Sequence, residues 1–344
     1  MLPHTLLALF AALCPQDADA QPPELGAVRF RADFDAALRD ARASKKPVFL
    51  LFDEIPGCAT CTGFGAGPLS HPLLVEAIET EFVPVAVHNN RAGADAEVLK
   101  RYGEPAWNNP VVRFVDADGK DVIPRKDGVW STGGIAARMV AALDAARRPV
   151  PAWLALAAEE TSPSSIERVT FAMHCYWEGQ AALGGLHGVA GVMPGAIDGG
   201  EVVEVLYRPD RVSLADLVKT ADRLDCAADV YVANETDATA ARAIVGDRVH
   251  VGGKMRAAPA SEYLYHLLHS NLRFLPLTEL QAMRVNSDLG SSKDASRWLT
   301  PSQQALLARI DRRLRDDPHA LAGLERPTDV AEFAAYTRRL VAKL

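Results

Sequence analysis

The chain has 344 residues, of which 49% are hydrophobic and 24% charged, and its formal net charge is −7. This length accommodates two domains with separate cores, and this composition excludes wholesale disorder. Because the arginines are scattered among acidic residues, no basic face for phosphates forms, which excludes nucleic acid as a partner.

The first twenty residues have a pattern typical of a secretory signal. An apolar stretch from Leu6 to Leu13 precedes Ala18-Asp19-Ala20, an A-x-A-like cleavage site, although the stretch has no Lys or Arg before it. It is too short to anchor stably in a bilayer. Cys14 would suit a lipoprotein, but the bulky Leu13 precedes it. We therefore expect residues 1–20 to be removed on export, leaving a periplasmic or extracellular protein without a membrane span.

Residues 25–148 alternate between helical and strand patterns, which predicts an α/β domain. The strands are expected at 48–52, 83–87 and 111–115, the last followed by a turn at 116–119 and a partner strand at 121–123. Helices are expected at 30–46, at 94–102, at 134–147 and after Ser70, which is predicted to cap its helix. The stretch from Thr62 to Pro68 is too rich in glycine for a long helix and suggests a flexible rim or a substrate groove.

Cys58 and Cys61 follow the first strand, three positions apart. A strand that leads into a helix places the first cysteine where free backbone N–H groups favour a thiolate, and the second can then close a disulfide. Zinc would require two further ligands at metal spacing, which the sequence lacks. A purely structural disulfide is the remaining alternative, but closing so short a loop gains little. The sequence therefore favours thiol-disulfide chemistry without metal or cofactor.

The Cys-x-x-Cys after a buried strand, with Pro110 opening a later strand, resembles the thioredoxin family. That resemblance implies that Pro110 is the family's cis-proline facing the two thiols, with the Asn109 backbone available to a bound chain. An ordinary turn at the start of a strand is the alternative for Pro110. The run IPGCATC more narrowly resembles an extracytoplasmic group named for a V-P-G-U-x-x-T motif, in which Cys58 stands where relatives carry selenocysteine. Ile55 and Cys61 depart from the motif, and Cys61 favours a dithiol mechanism.

A linker is predicted at 149–162, and a second domain at 163–290. There VTFAMHCYWEGQ and GGEVVEVLY resemble peptide methionine sulfoxide reductase of the A type, which implies an α+β, ferredoxin-like fold. By that resemblance Cys175 is the catalytic thiol, Tyr176 and Trp177 form an aromatic wall, Glu201 belongs to an E-V-V strand, and Glu262 contributes to substrate binding. Gln180 stands where the signature has glutamate.

The acid that the reductase chemistry requires is not evident, and the segment expected to carry it is missing between Met193 and Gly199. His174 is a candidate for activating Cys175, and Glu178 or Glu262 for supplying the acid. Cys175 is alternatively a small buried hydrophobe. Cys226 would serve as a resolving thiol or form a structural bridge, if its Cα comes within roughly 7 Å of that of Cys175.

Residues 291–344 are predicted as a helical tail, with helices from Thr300-Pro301 to Leu314 and from Asp329 to Leu344. Two hypotheses result. The first is an exported oxidoreductase acting on protein disulfides or on proteins containing methionine sulfoxide, with an external thiol reductant. The second is a non-catalytic binding or scaffold protein with structural disulfides in both domains.

Overall fold

A computed structural model describes residues 21–107 and 110–344 of the chain. The predicted signal, Cys14 and Asn109 therefore lie outside the described residues. The chain divides into two compact units between Ser162 and Pro163. Within the described residues, no helix is both long and apolar enough to cross a bilayer.

The first unit contains a sheet of three described strands with helices around it. Its strands are β1 (Val48–Asp53), β2 (Val83–His88) and β3 (Val111–Val115), in the order β2-β1-β3. Strand β2 runs parallel to β1, and β3 runs antiparallel. The helices are α1 (Phe34–Ser44), α2 (Ala59–Ala66), α3 (Pro72–Glu81), α4 (Ala94–Tyr102), α5 (Thr132–Ala145) and α6 (Ala152–Glu160).

Strand β1 is buried along its whole length because apolar clusters cover both faces of the sheet. Its alternate residues Phe49 and Leu51 belong to one cluster, and Leu50 and Phe52 belong to the other. Such a strand reads as a continuous apolar run, which is why the sequence located it correctly. The strand therefore delivers its last residue, Asp53, to the end of the sheet in a fully buried position.

Three local predictions for this unit need correction. Ser70 does not cap α3, since His71 is the N-cap residue and the Ser70 hydroxyl donates to the Gly65 carbonyl at 2.7 Å. The strand predicted at 121–123 does not form. After the turn that follows β3, only an isolated bridge pairs Asp121 with Val115. The glycine-rich run after Cys61 forms no long helix, as predicted, but its first residues belong to the eight-residue helix α2 and are not a flexible rim.

The predicted linker at 149–162 is mostly helix α6. Its side chains Trp153, Leu154 and Ala157 belong to the apolar cluster of the first unit. Pro151 stands directly before the helix, where a proline is tolerated because no backbone donor is needed there. Pro151 therefore marks the start of a helix within the predicted linker.

The second unit is built on a six-stranded sheet. Its strands are β4 (Glu167–Ala172), β5 (Val189–Ile197), β6 (Gly200–Tyr207), β7 (Asp229–Val232), β8 (Val249–Val251) and β9 (Arg256–Ala257), in the order β8-β7-β4-β6-β5-β9. Helices α7 (Tyr176–Gly184), α8 (Leu214–Arg223) and α9 (Glu235–Val245) connect them. The succession β4-α7-β5-β6-α8-β7 and its antiparallel pairing form the predicted ferredoxin-like α+β core.

Helices complete the second unit, as predicted for its C-terminal part. They are α10 (Tyr265–Leu268), α11 (Glu279–Gly290), α12 (Pro301–Asp316) and α13 (Phe333–Val341). Thr300 closes a capping box at the start of α12. Helix α11 is buried along most of its length, and its Arg284 donates to the carbonyl groups of Gly184 and Val189, which fixes the end of α7.

Candidate active site

Cys58 and Cys61 lie at the start of α2. This is the end of the sheet where β1 finishes with Asp53. Cys58 is the exposed N-cap residue, and Cys61 is fully buried one turn later. Their Sγ atoms are 3.6 Å apart, which is contact between two thiols and not a disulfide bond. The helix start therefore presents one thiol to solvent and holds its partner directly behind it.

The two thiols of this pair differ in their tendency to ionise. The backbone N–H groups of Cys61 and then Thr60, followed by the Cys61 thiol, lower the pKa of Cys58. Burial, and then interaction with the Asp53 carboxyl group, raises the pKa of Cys61 to about 12. Since the thiolate is the nucleophilic form of cysteine, the site favours ionisation of Cys58 over that of Cys61.

Asp53 is the third member of the site and was not singled out in the sequence. Its carboxyl group is fully buried beside Cys61 and affects the pKa of that thiol. Oδ1 accepts the Glu54 N–H at 3.0 Å, and Oδ2 is buried without a hydrogen-bonding partner among the described residues. Burial is the main cause that raises the pKa of Asp53 to about 6. A carboxyl group with this pKa beside a thiol that has to be deprotonated is suited to act as a general base near neutral pH.

Pro110 lies at the same end of the sheet as the dithiol. It directly precedes β3, whose first residue Val111 pairs with Phe52 of β1. Pro110 is buried, and its carbonyl accepts the Trp130 indole N–H at 3.1 Å. The predicted cis bond and the predicted contact of a bound chain with Asn109 both involve a residue outside the described ones, so they remain predictions.

Cys175 occupies an equivalent local position in the second unit. It is the half-buried N-cap residue of α7, directly after β4. The first N–H of the helix, that of Tyr176, donates to the Glu201 carboxylate at 2.8 Å. Strand β6 brings Glu201 there, because Val202 pairs with Ala172 and the Met173 N–H donates to the Glu201 carbonyl. A carboxylate therefore stands beside the candidate nucleophile.

The aromatic residues predicted as a substrate wall form part of a larger cluster. Trp177 stacks on Tyr265 at 4.1 Å and lies 6.0 Å from Tyr176, measured between ring centroids. The Trp177 indole donates to the Glu262 carboxylate at 2.8 Å, so Glu262 orients the ring. Buried Gln180 holds the segment of Glu262 by donating to its carbonyl, which explains an amide at this position. Tyr265 was not singled out in the sequence, although it lies only three residues after Glu262.

Cys226 is a buried free thiol at the same end of the second sheet. It lies three residues before Asp229, which pairs with Ala172, and Cys175 lies three residues after Ala172. Its Sγ approaches the Leu224 carbonyl at 3.4 Å. Burial is the main cause that raises the pKa of Cys226 to about 11, with contributions from Asp225 and Glu178. The four described cysteines are all free, so no bridge joins Cys175 to Cys226 here.

Two of the polar residues suggested from sequence have surface positions. His174 and Glu178 are both exposed, whereas Glu201 is half-buried against the helix start. Glu201 was read only as part of a strand motif, because the register that brings it to α7 is not visible in the sequence. Across residues 21–107 and 110–344, no three His, Cys, Asp or Glu side chains are grouped so that they could hold a metal ion.

Comparison with known proteins identifies the fold of the first unit. Residues 29–117 match the family model described as thioredoxin-like. Similar solved structures include methionine sulfoxide reductase A of Corynebacterium diphtheriae, with 18% identity over 36% of this chain and 82% of that chain and a TM-score of 0.27. They also include a DsbH oxidoreductase, with 19% identity over 40% of this chain and 96% of that chain and a TM-score of 0.30. No curated protein matches the sequence.

The matched segment contains β1, both thiols of the Cys-x-x-Cys, and β2 and β3. The prediction of a thioredoxin-like fold for the first unit is thus confirmed. The mixed α/β architecture with C-terminal helices is likewise as predicted. The narrower resemblance to the V-P-G-U-x-x-T group stays a prediction.

Proposed function

We propose that the protein is a thiol-disulfide oxidoreductase whose reacting group is the Cys58 thiolate. The observation that carries this proposal is the asymmetric dithiol, in which an exposed Cys58 with a lowered pKa lies 3.6 Å from a buried Cys61 backed by Asp53. A purely structural disulfide would require neither a thiol with a lowered pKa nor a buried carboxyl group next to its partner thiol.

In the proposed reaction, the Cys58 thiolate attacks one sulfur of a substrate disulfide. An S–S bond forms between Cys58 and that sulfur, and the other substrate sulfur leaves as a thiolate and takes up a proton. Asp53 then accepts the proton of Cys61, and the Cys61 thiolate attacks Cys58 Sγ. The bond between Cys58 and the substrate breaks, the second substrate sulfur leaves as a thiolate that takes up a proton, and Asp53 returns its proton to solvent. The substrate disulfide gains two electrons, and the dithiol becomes a Cys58–Cys61 disulfide. An external thiol reductant has to restore it.

The proposal is tested by reduction of insulin with the mature protein and a catalytic supply of dithiothreitol. We expect turnover above the dithiothreitol background and, in parallel, rapid alkylation of Cys58 at neutral pH under mild reductant, read by mass spectrometry. If all four described cysteines stayed oxidised and unreactive under these conditions, the binding or scaffold alternative with structural disulfides would be favoured.

Methionine sulfoxide reduction in the second unit is a second candidate function, and one observation favours it. The Glu201 carboxylate beside the start of α7 supplies the acid that the sequence seemed to lack. In this reaction Cys175 attacks the sulfoxide sulfur, the oxygen is protonated by Glu201, and the products are a thioether and a Cys175 sulfenic acid. Condensation of that group with the Cys226 thiol would release water and form a disulfide, which the external reductant reopens.

Export is proposed on the pattern of residues 1–20 alone. It fits a thiol-disulfide enzyme, because protein disulfides persist outside the cytoplasm. Expression of the full chain, followed by cell fractionation and N-terminal sequencing of the product, would test it. A mature form beginning near residue 21 outside the cytoplasm is the expected result, and an intact N-terminus in the cytoplasm would contradict it.

A further inference from the structure

A buried acid precedes the thioredoxin-like segment and lies against the active-site loop. Glu24 belongs to a short 3-10 turn, Pro23–Leu25, and only 2% of its surface is exposed. The family match begins at residue 29, so the match does not include Glu24. Because burying a carboxyl group is costly unless its oxygens are paired, its position requires an explanation.

Two glycines allow the turn of Glu24 to pack directly on α2. A Cβ on Gly65 would lie 1.9 Å from the Pro23 carbonyl oxygen, and a Cβ on Gly26 would lie 2.4 Å from the Gly65 oxygen. Gly26 also has a φ of 56°, which favours glycine. The segment before the thioredoxin-like region is therefore fitted closely to the helix that carries Cys61.

The Glu24 carboxylate reaches the residue that precedes the nucleophile. Its Oε1 accepts the Gly57 N–H at 2.7 Å. The loop is tight here, since a Cβ on Gly57 would lie 2.2 Å from the Glu54 carbonyl oxygen and 2.6 Å from Cys61 Cβ. Glu24 Oε2 is buried without a hydrogen-bonding partner among the described residues. One backbone contact thus ties the N-terminal segment to the loop of Cys58.

The charge of Glu24 also acts on Asp53. Burial is the largest cause of the raised pKa of Asp53, and the charges of Glu24 and then Glu54 add to it. The Cys61 thiol from α2 also interacts with Asp53, and the titratable residue His88 is the register partner of Asp53 on β2. Two acids that share a poorly solvated region resist being ionised together.

We propose that Glu24 is a positioning residue of the dithiol centre, which fixes the loop before Cys58 through its hydrogen bond with the Gly57 N–H. Held there, its charge also raises the pKa of Asp53, which is its charge role. This inference rests on the proposed function, in which Asp53 accepts the Cys61 proton. Glu24 itself neither gains nor loses a proton in that step. The proton passes from Cys61 to Asp53, and the released substrate thiolate takes one up.

The charge role is tested with Glu24→Gln, which keeps an oxygen to accept the Gly57 N–H and nearly the same volume. The measurement is the pH midpoint of Asp53, followed by carbon-13 NMR of its carboxyl group in the dithiol form. We expect the midpoint to fall by on the order of half a pH unit. Glu97→Gln, which removes an exposed carboxylate on α4, should leave it unchanged. A wild-type midpoint in Glu24→Gln would overturn the charge role.

The positioning role is tested by hydrogen exchange of the Gly57 amide. Glu24→Ala removes the acceptor and should accelerate exchange of this amide at least tenfold, whereas Glu24→Gln should exchange close to the wild-type rate. Glu24→Asp, which keeps the charge but shortens the side chain, gives the same test if the alanine variant fails to fold. Wild-type exchange in either shortened variant would overturn the positioning role. Neither measurement needs a substrate, so absent insulin reduction would count against the proposed function alone.

Discussion

The two regions that carry thiols bring their cysteines together by different means. Cys58 and Cys61 lie one helical turn apart on the same segment, and this turn brings their sulfur atoms to 3.6 Å. Cys175 and Cys226 come from different elements, and only the pairing of β4 with β7 brings them to one end of the sheet. The thiols of a local pair meet wherever their helix start folds, whereas those of a distant pair meet only if the register of a sheet is correct.

The acid beside each nucleophile differs in the same way. Asp53 ends the strand that leads into its own active-site loop and is fully buried, which raises its pKa to about 6. Glu201 comes from a neighbouring strand, is half-buried and is held by the Tyr176 N–H. A buried carboxyl group with a raised pKa suits a base for a thiol that ionises with difficulty, whereas Glu201 is notable for its position beside Cys175.

Replacing the thiols of the first region should have the largest effect. We expect Cys58→Ser to lower insulin reduction by about 1000-fold or more, because it removes the attacking thiolate. Cys61→Ser should retain the first step and accumulate a mixed disulfide between Cys58 and the substrate, detected by mass spectrometry. If the mixed disulfide instead formed in Cys58→Ser, the assigned order of attack would be reversed.

The second region is tested by Glu201→Gln. If Glu201 protonates the sulfoxide oxygen, reduction of a methionine sulfoxide peptide should fall about 100-fold, while the side chain still accepts the Tyr176 N–H. Glu235→Gln, an exposed carboxylate in the first turn of α9, is the matched control and should retain full activity. Equal rates in wild type and Glu201→Gln would show that Glu201 is not the acid. The dithiol would then be the one proposed active site that still has an argument behind it.

The sequence predicted the parts of both regions that depend on short-range patterns. The apolar run of β1, the Cys-x-x-Cys at a helix start and Cys175 between a strand and a helix could all be read directly. Asp53 was overlooked although an acid that ends a buried strand is a signal. The positions of Glu201 beside Cys175 and of Glu24 beside Gly57 could not be predicted. The register of a sheet determines the first, and the packing of a proline-containing turn determines the second. Helix α6 was read as a linker for the same reason, since its burial is tertiary.

Asp53, the buried carboxyl group of the first region, should make the stability of the protein depend on pH. With a folded-state pKa near 6 and an ordinary value of 3.8, Asp53 binds its proton more tightly in the folded protein. Its stabilising effect is therefore full below pH 4 and is lost as the pH rises through 6. Asp53→Asn should be more stable than wild type by about 1–3 kcal/mol at pH 7 and by little at pH 4, measured by denaturant unfolding of the dithiol forms.

The same substitution should slow the resolving step. In Asp53→Asn, release of substrate from the mixed disulfide at pH 7 should be about tenfold slower, because Cys61 has lost its base. In the wild type, this step should slow as the pH falls through 6, and the variant should lack that inflection. A variant with the same inflection would assign it to another group, and Asp53 would then be a buried acid without a role in proton transfer.

The smallest expected effect concerns the packing that supports the first region. Gly65→Ala should destabilise the protein by about 1–2 kcal/mol, because its Cβ would collide with the Pro23 carbonyl. Gly63→Ala lies in the same helix with nothing within 4 Å of its Cβ, so it should stabilise by up to about 1 kcal/mol. Both are measured by denaturant unfolding. If the two substitutions had equal effects on stability, helix propensity alone would account for both. The first region would then depend only on its local geometry. Opposite signs would show that even this local dithiol depends on a distant segment of chain.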